Sequence, residues 1–511
     1  MYQFDKPAKW DPHSGVSVHK EFIVDDYIST NSDLAQHFAD CDKADIFRHF
    51  EEFGCIERRG IRLSDYIFVD SVLCSDKGDF FITGWADRRI FKSIELSVQV
   101  GYVRYGFPDA EPCWYDRPDV NAVLGDHDQP SGFAVLLRAD EADNFLIHSA
   151  VVVAINGVPL YQQTVARWLS SERFLLDAMG ACAILADRPI GETLESGQRL
   201  HRQFLPVWNR VVDGLKFSKI LAVNGDRKVR SSIIITIYRR ADMLLMQLSE
   251  LAEFLERAAV EVVVVLNDVA NASVLVEEVM AFCQIHPIAI SVYNCSGNSG
   301  FSAGNNFGAS VARGNVLVFM NPDIFPPLDN IEGALGFLVS DPGEGLHGTM
   351  LYYGDGLLMH SGMYVVQDLV LHPAGTTGDA LRVEHFGKGL TLDINADRQA
   401  LHHAVAGIPP QHCIPSAALW KIRKKLFFKL GGLSTDYIYA YYEDAAFGLD
   451  ALRNDVPVVI DTSGRWIHLE GVGKSMPPHA RTFMWLNRAH FSQKYAGIPQ
   501  VVDTLMDQSL L

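Results

Sequence analysis

The spacing of apolar residues along this chain changes twice, and each change predicts a different kind of structure. Within residues 20–60, large apolar side chains recur at roughly helical intervals, and Gly54 then stands where a helix often ends. From about residue 63 the period becomes two, because Ile94 to Tyr102 alternate apolar and polar side chains as a half-buried strand does. We predict a helical segment over residues 1–62, followed by β-structure.

The β-structure predicted for residues 63–165 has the features of a small antiparallel sandwich. Two apolar runs flank Asn156-Gly157, a residue pair that is typical of two-residue hairpin turns. Strands and turns follow one another here without intervening helical patterns, which favours antiparallel pairing. Residues 166–228 return to helical spacing, and we predict a helical connector there.

From residue 229 to residue 511, continuous apolar runs alternate with helical patterns. The runs SIIITIY, EVVVVLN, AISVYN and VLVFMNPD are rich in β-branched residues, as expected for strands that are buried on both faces. This alternation predicts an α/β domain in which helices cover a mostly parallel sheet. Ligands bind at the carboxyl ends of such strands, which here lie near Tyr238, Asn267, Asn294 and Asp323.

Composition and charge exclude several classes of function. The chain has 511 residues, of which 48% are hydrophobic and 21% charged, so it is long enough for two or three folded domains. A net charge of -18 argues against sequence-independent nucleic-acid binding, which needs a basic surface. The first residues contain no apolar run typical of a secretory signal, and no run of about 18 apolar residues predicts a membrane span.

Cysteine usage and one basic cluster bear on the location of the protein. The eight cysteines show no CxxC spacing, so they form neither a zinc-binding pattern nor a disulfide framework, and we predict reduced thiols in a cytoplasmic protein. A basic cluster over residues 421–429 could associate peripherally with the inner face of a membrane, through anionic lipid, or could contact an acidic acceptor. The alternative is a solvated helix face. The cluster consists of Lys421, Arg423, Lys424, Lys425 and Lys429.

One acidic residue stands at the end of the fourth apolar run. In VLVFMNPDIFP the strand must stop at Asn321-Pro322-Asp323, because proline has no N–H with which to continue the ladder. The carboxylate of Asp323 would then emerge at the mouth of the sheet, where oxygen ligands suit Mg²⁺ or Mn²⁺. Taken alone, Asp323 could equally be a turn residue that caps the next segment.

A turn rich in glycine and asparagine precedes that strand. GNSGFSAGNNFGASVARGN begins at Gly297 and lies between a predicted strand and a predicted helix. Its small residues and amides, Asn298, Gly300, Asn305 and Asn306, would let backbone N–H groups approach a sugar phosphate. The glycine spacing differs from that of a dinucleotide-binding Rossmann fingerprint.

These motifs, taken in order, resemble the inverting family-2 glycosyltransferases of the GT-A fold, in particular those of bacterial polysaccharide and rhamnosyl transfer. NxGFxxxxNxG followed by ARGxxxxxxNPD is similar to the family's segment that ends in the metal motif. SIIITIYRRADML resembles its first strand, and YGDGLLMHSGMYV resembles its DGxxxHxG segment. KKLFFKLGGLSTDYIYAYYEDAAFGLDAL resembles the block that carries the catalytic carboxylate. The resemblance covers roughly residues 231–490.

The resemblance implies roles for individual residues. Asp323 would bind the metal, and His468 in WIHLEG would complete the metal shell. Asp444, in the Glu443-Asp444 pair, would be the general base that deprotonates the acceptor hydroxyl. A Mg²⁺ or Mn²⁺ ion and the turn before the helix would neutralise the departing diphosphate. The residues expected to contact the donor are Tyr238, Asn267, Asp268, Asn298, Gly300, Asn305, Asn306, Asn321 and His360.

Simpler interpretations of these residues stay open at the level of the sequence. Glu443 and Asp444 could be first-turn acids that stabilise a helix N-terminus. His468 could be a buried structural histidine, and His360 could be structural or could contact the donor phosphate. Three further histidines lack carboxylates at ligand spacing and are interpreted as loop residues: His402, His403 and His412.

The chain also departs from the family pattern. Leu266 stands where an acid usually holds the nucleobase, and Asp268 is two residues away and could replace it. Ala446 and Asp450 replace an acid and an arginine of the carboxylate block. Asn321 replaces the first acid of the metal motif, which leaves one carboxylate there.

The sequence therefore predicts a metal-dependent inverting glycosyltransferase of the hexosyl or rhamnosyl type. Its donor would be a UDP-, dTDP- or GDP-linked sugar, and its acceptor would be a hydroxyl of a glycan, a lipid-linked or a protein-linked molecule. Two alternatives stay open: a nucleotidyltransferase that activates a sugar phosphate, and a glycan-binding protein with an impaired transferase site. Trp85 and Trp114 of the predicted sandwich could contact a glycan, or they could pack within the domain.

Overall fold

The computed structural model describes most of the chain between residues 66 and 497. The described ranges are 66–89, 91, 94–125, 129–139, 149–155, 158–165, 168–239, 241–327, 331–371, 377–389, 414–469 and 478–497, together with residues 28, 34, 38 and 49. The chain divides into two compact units, Met1–Arg188 with Arg202–Val207, and Pro189–His201 with Trp208–Leu511. Most of the helix predicted over residues 20–60, the turn Asn156-Gly157 and the three loop histidines lie outside the described residues.

The first unit is built mainly from antiparallel strands. Its described elements are β1 (Ile67–Cys74), β2 (Asp79–Ala86), β3 (Leu96–Val100), β4 (Val103–Phe107), β5 (Cys113–Tyr115), α1 (Pro118–Leu124), β6 (Gly132–Arg138), β7 (Ser149–Ile155), β8 (Val158–Val165), α2 (Ser171–Ala181) and α3 (Ala183–Ala186). The strands form two four-stranded sheets, in the orders β1-β2-β6-β5 and β4-β3-β7-β8.

One hydrophobic core joins these two sheets. Ile82 and Val135 point into it from the first sheet, and Val98 and Val153 point into it from the second. This is the layered arrangement of a β-sandwich, in which alternate residues of each strand face the partner sheet. β7 and β8 pair antiparallel on either side of the predicted turn.

The first unit differs from the sequence prediction at the end of one strand, and it shows how Trp85 and Trp114 pack. The alternating pattern predicted one strand as far as Tyr102, but β3 ends at Val100, which pairs with Val103 across a tight turn. Gly101 has a φ of 58° there, and the alternation continues into the turn only by coincidence. Trp114 is half-buried against Phe133, and Trp85 stacks on Phe68 across the strand pair, so both tryptophans pack within the sheet.

The second unit is a mixed α/β structure. Its described elements are α4 (Ile190–Asp213), β9 (Phe217–Val223), β10 (Ser231–Tyr238), α5 (Asp242–Arg257), β11 (Val260–Asn267), α6 (Ala272–Ile285), β12 (Ala289–Cys295), α7 (Gly300–Val311), β13 (Val316–Met320), β14 (Ile324–Phe325), α8 (Ile331–Val339), β15 (Leu346–Tyr352), β16 (Leu358–His360), β17 (Met363–Leu371), β18 (Thr377–His385), β19 (Leu419–Arg423), α9 (Lys424–Lys429), α10 (Glu443–Arg453), β20 (Val458–His468) and α11 (Pro478–Lys494). Residues 202–207 of α4 belong to the first unit.

A ten-stranded sheet forms the centre of this unit, in the order β14-β20-β15-β19-β13-β10-β11-β12-β9, with β16 beside β15. The four strands β13, β10, β11 and β12 are parallel neighbours. β9, β14 and β19 each pair antiparallel with a neighbouring strand. The predicted fold class, an α/β domain with a mostly parallel sheet, is confirmed in this unit.

Both faces of the sheet are covered, as the continuous apolar runs require. Ile233, Ile235 and Ile237 of β10 pack with Leu244 and Leu248 of α5 on one face. Ile234 of the same strand lies in a second core on the other face, with residues of α7, α9 and α10. Each fully buried leucine or isoleucine contributes about 1.5–3 kcal/mol to stability, so these faces fix the strand order firmly.

The prediction of a helical connector over residues 166–228 is wrong for its last part. α2, α3 and α4 fill most of it, but Phe217–Val223 forms β9, which pairs antiparallel with β12 at the edge of the sheet. Its polar residues are exposed and give no alternating pattern, which is why the sequence did not indicate a strand. Phe217 lies 4.0 Å, between ring centroids, from Phe307 of α7.

Two further observations concern the described cysteines and helices. Cys74, Cys113, Cys182, Cys283 and Cys295 are buried, and Cys74, Cys182 and Cys283 are free thiols. Among the residues that the structure describes, no helix is both long enough and apolar enough to cross a membrane.

Candidate active site

Asp323 and His468 meet at the carboxyl end of the central sheet. Asp323 follows β13, and His468 is the last residue of β20, whose neighbour β14 starts directly after Asp323. The carboxylate Oδ1 of Asp323 lies 3.2 Å from Nε2 of the His468 ring. The backbone fixes this contact, because the N–H of Leu469 donates to the carbonyl oxygen of Asp323 at 3.0 Å.

The other ring nitrogen of His468 faces a sulfur atom. Nδ1 lies 3.0 Å from the Met359 sulfur, which can only accept a hydrogen bond. In the tautomer with its hydrogen on Nδ1, the ring presents the lone pair of Nε2 to the Asp323 carboxylate. Two such lone pairs repel each other unless a proton or a metal cation lies between them.

The spacing of this pair suits a divalent ion. Two neighbouring ligands of an octahedral Mg²⁺, each about 2.1 Å from the ion, lie about 3 Å apart. The described residues contain no group of three or more histidine, cysteine or acidic side chains arranged to hold a metal. A metal at Asp323 and His468 would therefore take further ligands from the substrate diphosphate and from water.

The Glu443-Asp444 pair opens α10, as the sequence predicted. Asp444 is half-buried, and its carboxylate accepts two backbone hydrogen bonds, from Ala417 N at 3.1 Å and from Ala445 N at 2.8 Å. Burial raises the pKa of Asp444 above its ordinary value, while these two bonds and the charge of His385 act in the opposite direction. The result is a carboxylate held in one orientation with a raised proton affinity, which is what a general base needs.

Glu443 differs sharply from its neighbour. Its side chain is buried, and its Oε2 has no hydrogen-bond partner. Burial, followed by the negative charge of Asp444, raises the pKa of Glu443 well above its usual range. Glu443 was expected beside Asp444 as part of the catalytic pair, but its carboxyl group is buried, whereas that of Asp444 is half-buried.

A short segment ahead of β19, Ser416–Ala418, connects several candidate residues. Ser416 N donates to Nε2 of His360 at 3.1 Å, and Ala417 N donates to Asp444. The carbonyl oxygen of Ala418 accepts from Asn321 N at 2.8 Å, two residues before Asp323. Three consecutive residues thus fix Asp444, the strand end before Asp323 and His360 relative to one another.

His360 is a structural residue in this arrangement. It is buried, and both ring nitrogens are occupied, Nε2 by Ser416 N and Nδ1 by His385 Nδ1 at 2.9 Å. Because Nε2 accepts, the proton of a neutral His360 sits on Nδ1 and is donated to His385. Burial, then the charges of His385 and His468, keep the pKa of His360 well below its ordinary value. The alternative of a contact with donor phosphate is therefore not supported.

The Gly- and Asn-rich turn does form the start of α7, but its N–H groups are already occupied. Ser299 N donates to Asn267 Oδ1 at 3.3 Å, and Gly300 N donates to Asn298 Oδ1 at 2.9 Å. Phe301 N donates to the carbonyl oxygen of Tyr439 at 2.6 Å. The expectation that these N–H groups would approach a sugar phosphate is corrected, since protein acceptors satisfy these three.

Gly300 is required by this geometry. Its φ is 69°, and a Cβ at this position would lie 2.6 Å from the Tyr439 oxygen. No real side chain tolerates that approach, so the glycine allows the segment around Tyr439 to pack against the start of α7.

Three asparagines that were expected to contact the donor bind the protein itself. The amide of Asn267 donates to Gly300 O at 3.0 Å and accepts from Ser299 Oγ at 2.7 Å. Asn305 accepts from Thr236 Oγ1 and donates to Phe301 O. Asn306 exchanges two hydrogen bonds with the backbone of Leu433. All three position the turn and α7 rather than face the mouth of the sheet.

The ends of β10 and β11 present a different group. Tyr238 is exposed, and the guanidinium of Arg239 lies over its ring at 4.9 Å. Arg239 Nε also donates to Asp268 Oδ2 at 3.0 Å, and both residues have a positive φ. Leu266, where the family pattern has an acid, is fully buried in the core beneath the sheet. Of the predicted donor-binding residues, Tyr238 and Asp268 are the ones that reach solvent at this edge.

The residues that depart from the family pattern in α10 have structural partners. Asp450 accepts from Lys494 Nζ at 2.8 Å and from the Tyr495 hydroxyl at 2.9 Å, both on or next to α11. Ala446 is buried in the core between α10 and α11. These changes affect packing between helices, two and six residues beyond Asp444.

The basic cluster is mostly engaged with the protein. Lys421 is buried in β19 and donates to carbonyl oxygens of Phe337 and Ser340 at the end of α8. Burial lowers the pKa of Lys421 to about 8. Arg423 forms ion pairs with Asp341 and Glu344, and Lys424 donates to carbonyl oxygens at the end of α7. Lys421 is therefore not part of a common surface patch, and Arg423 and Lys424 already have partners within the protein.

A strained backbone segment lies directly before Glu443 and Asp444. Tyr439, Tyr441 and Tyr442 have φ values of 61°, 83° and 74°. Non-glycine residues in this region cost roughly 1–3 kcal/mol each, and they persist only where surrounding contacts hold them. The segment Tyr439–Tyr442 therefore needs an external support.

Sequence reasoning missed the residues that hold the site together. Ser416–Ala418 act through backbone groups, which carry no signal beyond a run of small residues before β19. His385 reaches His360 only because the β17–β18 hairpin returns the chain across 25 residues. Asn487 of α11, which hydrogen-bonds to the backbone of Ile438 and Ala440, could have been noticed as a polar residue on an apolar helix face. Met359 could have been noticed as the neighbour of His360.

Comparison with known protein families identifies one family that matches part of the second unit. The model of the family described as "Glycosyl transferase family 2" matches residues 232–358. The match runs from β10 to the start of β16 and includes Tyr238, the Gly- and Asn-rich turn and Asp323. It confirms the resemblance to family-2 glycosyltransferases over this part of the chain, and it supports a glycosyltransferase. No curated protein matches the chain.

Three solved structures are similar to the chain at low identity. The structure of GalNAc-T7 with UDP, GalNAc and Mn²⁺ is 14% identical, with a TM-score of 0.35, over 49% of this chain and 45% of that one. The mannosyltransferase PcManGT from Pyrobaculum calidifontis, in complex with GDP-Man and Mn²⁺, is 15% identical, with a TM-score of 0.31, over 62% and 86%. Residues 1–349 of S. aureus TarS are 14% identical, with a TM-score of 0.30, over 53% and 74%. The chain spans less than half the length of the first of these, and the family match alone carries the argument.

Proposed function

We propose that this protein transfers a sugar from a nucleotide diphosphate sugar to an acceptor hydroxyl, with inversion at the anomeric carbon. Asp444 is the general base in this proposal. Asp323 and His468 hold a Mg²⁺ or Mn²⁺ ion at the donor diphosphate. The donor is UDP-, dTDP- or GDP-linked, and the acceptor is a hydroxyl of a glycan, a lipid-linked or a protein-linked molecule.

The observation that carries the proposal is the connection through Ser416–Ala418. Its middle residue, Ala417, donates to the carboxylate of Asp444, and its last residue, Ala418, accepts from the backbone of Asn321, two residues before Asp323. A base and a metal-type carboxylate that share one rigid support suit a displacement reaction, in which a nucleophile and a leaving group must stay aligned. The alignment supports attack on the sugar from the side opposite the diphosphate.

Each residue has a separate chemical task. A sugar hydroxyl is a weak nucleophile, and Asp444 would take its proton as the new glycosidic bond forms. A divalent ion at Asp323 and His468 would supply positive charge to the departing diphosphate. Tyr238, Arg239 and Asp268 form the polar group at the strand ends that a nucleobase would meet, in place of the acid that Leu266 replaces.

A donor screen tests the proposal. The protein is incubated with UDP-, dTDP- and GDP-sugars, Mn²⁺ or Mg²⁺ and candidate acceptor glycans, and nucleotide diphosphate release is measured together with the anomeric configuration of the product. Metal-dependent release with an inverted product is expected. Glycan binding without release would favour the impaired binding protein, and pyrophosphate release from a nucleoside triphosphate and a sugar phosphate would favour a nucleotidyltransferase.

A variant of Asp323 tests the metal assignment. Asp323→Ala should weaken metal-dependent donor binding, measured by calorimetry, by at least about 10-fold, because it removes the negative ligand of the pair, and the loss of even an outer-shell partner typically costs about 10–100-fold. Glu253→Ala, which removes an exposed acid on α5, is the matched control and should bind like the wild type. Equal donor affinity in Asp323→Ala and the control would rule out this metal site.

A further inference from the structure

One face of α11 supports the strained segment ahead of the base. His479, Phe483, Asn487 and Phe491 are spaced four residues apart, so they form a single stripe along the helix, called here the α11 stripe. Phe483 contacts the ring of Tyr439 at 5.5 Å and stacks on Tyr441 at 5.9 Å. Phe491 contacts the ring of Tyr442 at 5.1 Å.

Asn487 is the polar centre of the α11 stripe. It is fully buried, although the positions on either side of it in the stripe are aromatic. Its Oδ1 accepts from Ile438 N at 2.9 Å. Its Nδ2 donates to the carbonyl oxygens of Ile438 at 3.0 Å and Ala440 at 2.8 Å, with Tyr441 O at 3.4 Å. A buried amide with all its groups used on one short backbone segment fixes that segment in place.

The segment held by Asn487 touches both halves of the candidate site. Tyr439 O accepts from Phe301 N at the start of α7, the turn that Asn267 and Asn298 also hold. Three residues after Tyr441, the same chain reaches Asp444. The positive φ values at Tyr439, Tyr441 and Tyr442 would relax toward ordinary backbone if the support were removed.

We propose that Asn487 is a positioning residue for sugar transfer: through the Tyr439–Tyr442 segment it sets the orientation of Asp444 and couples Asp444 to the start of α7. The inference rests on the proposed function for its catalytic part. The structural part does not depend on any activity. It states that Asn487 controls the hydrogen bond from Phe301 N to Tyr439 O, although Asn487 contacts neither atom.

Two readouts test the proposal on the full chain, with Asn487→Ala as the variant. Hydrogen–deuterium exchange followed by mass spectrometry reports on the amide of Phe301, which should exchange at least tenfold faster. Turnover with saturating donor and acceptor should fall at least tenfold, with the folded fraction measured in parallel. Trp485→Phe is the matched control, because it removes one buried hydrogen bond of α11, to Thr193, without touching the segment.

The outcomes separate the parts of the proposal. Unchanged Phe301 exchange in Asn487→Ala, or turnover within threefold of the Trp485→Phe control, would overturn it. If the wild type transferred no sugar from any donor, the proposed function would fail, while the exchange readout would still decide the structural part. If Asn487→Ala does not fold, Asn487→Asp gives the same decision, since it keeps the shape and one acceptor oxygen but loses both N–H donors.

Discussion

Replacing Asp444 by asparagine isolates the proton-accepting role of this carboxylate. The side chain keeps its shape, but an amide cannot take a proton from the acceptor hydroxyl. Loss of a general base typically lowers kcat by about 10²–10⁴-fold, which corresponds to roughly 3–5 kcal/mol of transition-state stabilisation. Donor affinity should stay within about threefold of the wild type, because the proposed mechanism places the donor at Asp323 and at the strand ends instead.

The structure also predicts a stability effect that must be separated from catalysis. The Asp444 carboxylate accepts from both Ala417 N and Ala445 N, whereas an asparagine offers one oxygen and one NH₂ group. One of the two backbone N–H groups loses its acceptor, at a cost of about 1–3 kcal/mol. Relief of the buried charge acts in the opposite direction. The folded fraction therefore has to be measured by thermal unfolding before rates are compared.

The assay for Asp444→Asn is nucleotide release at saturating donor, with donor affinity measured by calorimetry. Asp450→Asn is the control, since it makes the same chemical change two turns along α10, where Asp450 pairs with Lys494. It should turn over within about threefold of the wild type. A folded, donor-binding Asp444→Asn protein with kcat within tenfold of the wild type would refute the assignment of the base.

Because the pKa of Asp444 is raised, the wild-type rate should rise with pH at a higher pH than an ordinary aspartate would give.

Two further predictions concern stability and pH. The pKa of Glu443 is raised, so its folded form holds a proton more tightly than the unfolded chain, and stability is lost as pH rises above the unfolded value. The free energy of unfolding of Glu443→Gln, measured in denaturant, should therefore rise relative to that of the wild type between pH 5 and 8, by at most about 1.4 kcal/mol per pH unit. A difference between the two proteins that does not change with pH would contradict this prediction. The pKa of Lys421 is lowered to about 8, so the wild type should gain stability relative to Lys421→Met between pH 8 and 10, by roughly 2–3 kcal/mol. A flat difference between those two proteins across that range would count against the buried lysine.

The sequence predicted the sheet of the second unit well because its strands are unambiguous. β10, β11 and β13 are continuous apolar runs, and a strand buried on both faces has few other interpretations. The resemblance of ordered motifs also predicted that Asp323, Asp444 and His468 share a site, and the structure brings Asp323 and His468 into contact. The contact between Asp323 and His468 follows from the pairing of β14 with β20. β14 has only two residues, so no sequence pattern predicts this pairing.

The direction of polar side chains could not be predicted in the same way. Asn267 stands at a strand end, where a residue can face a ligand or fold back onto the next turn, and its amide folds back onto Ser299 and Gly300. Lys421 and Arg423 illustrate the same limit. On a strand they share a face, yet Lys421 is enclosed by α8 while Arg423 reaches Asp341 at the surface. The charge run is visible in the sequence, but its surroundings depend on distant elements.

The occupied start of α7 changes how the departing diphosphate could be stabilised. The sequence suggested two sources of positive potential, the N–H groups of the turn and a metal at Asp323. Protein acceptors already satisfy the N–H groups of Ser299, Gly300 and Phe301, and each of these bonds also holds part of the site in place. Using them for phosphate would require the turn to give up Asn267, Asn298 and Tyr439 O as partners. The proposed mechanism therefore relies on the Asp323–His468 pair, and this is why Asp323→Ala is expected to weaken donor binding as well as slow transfer.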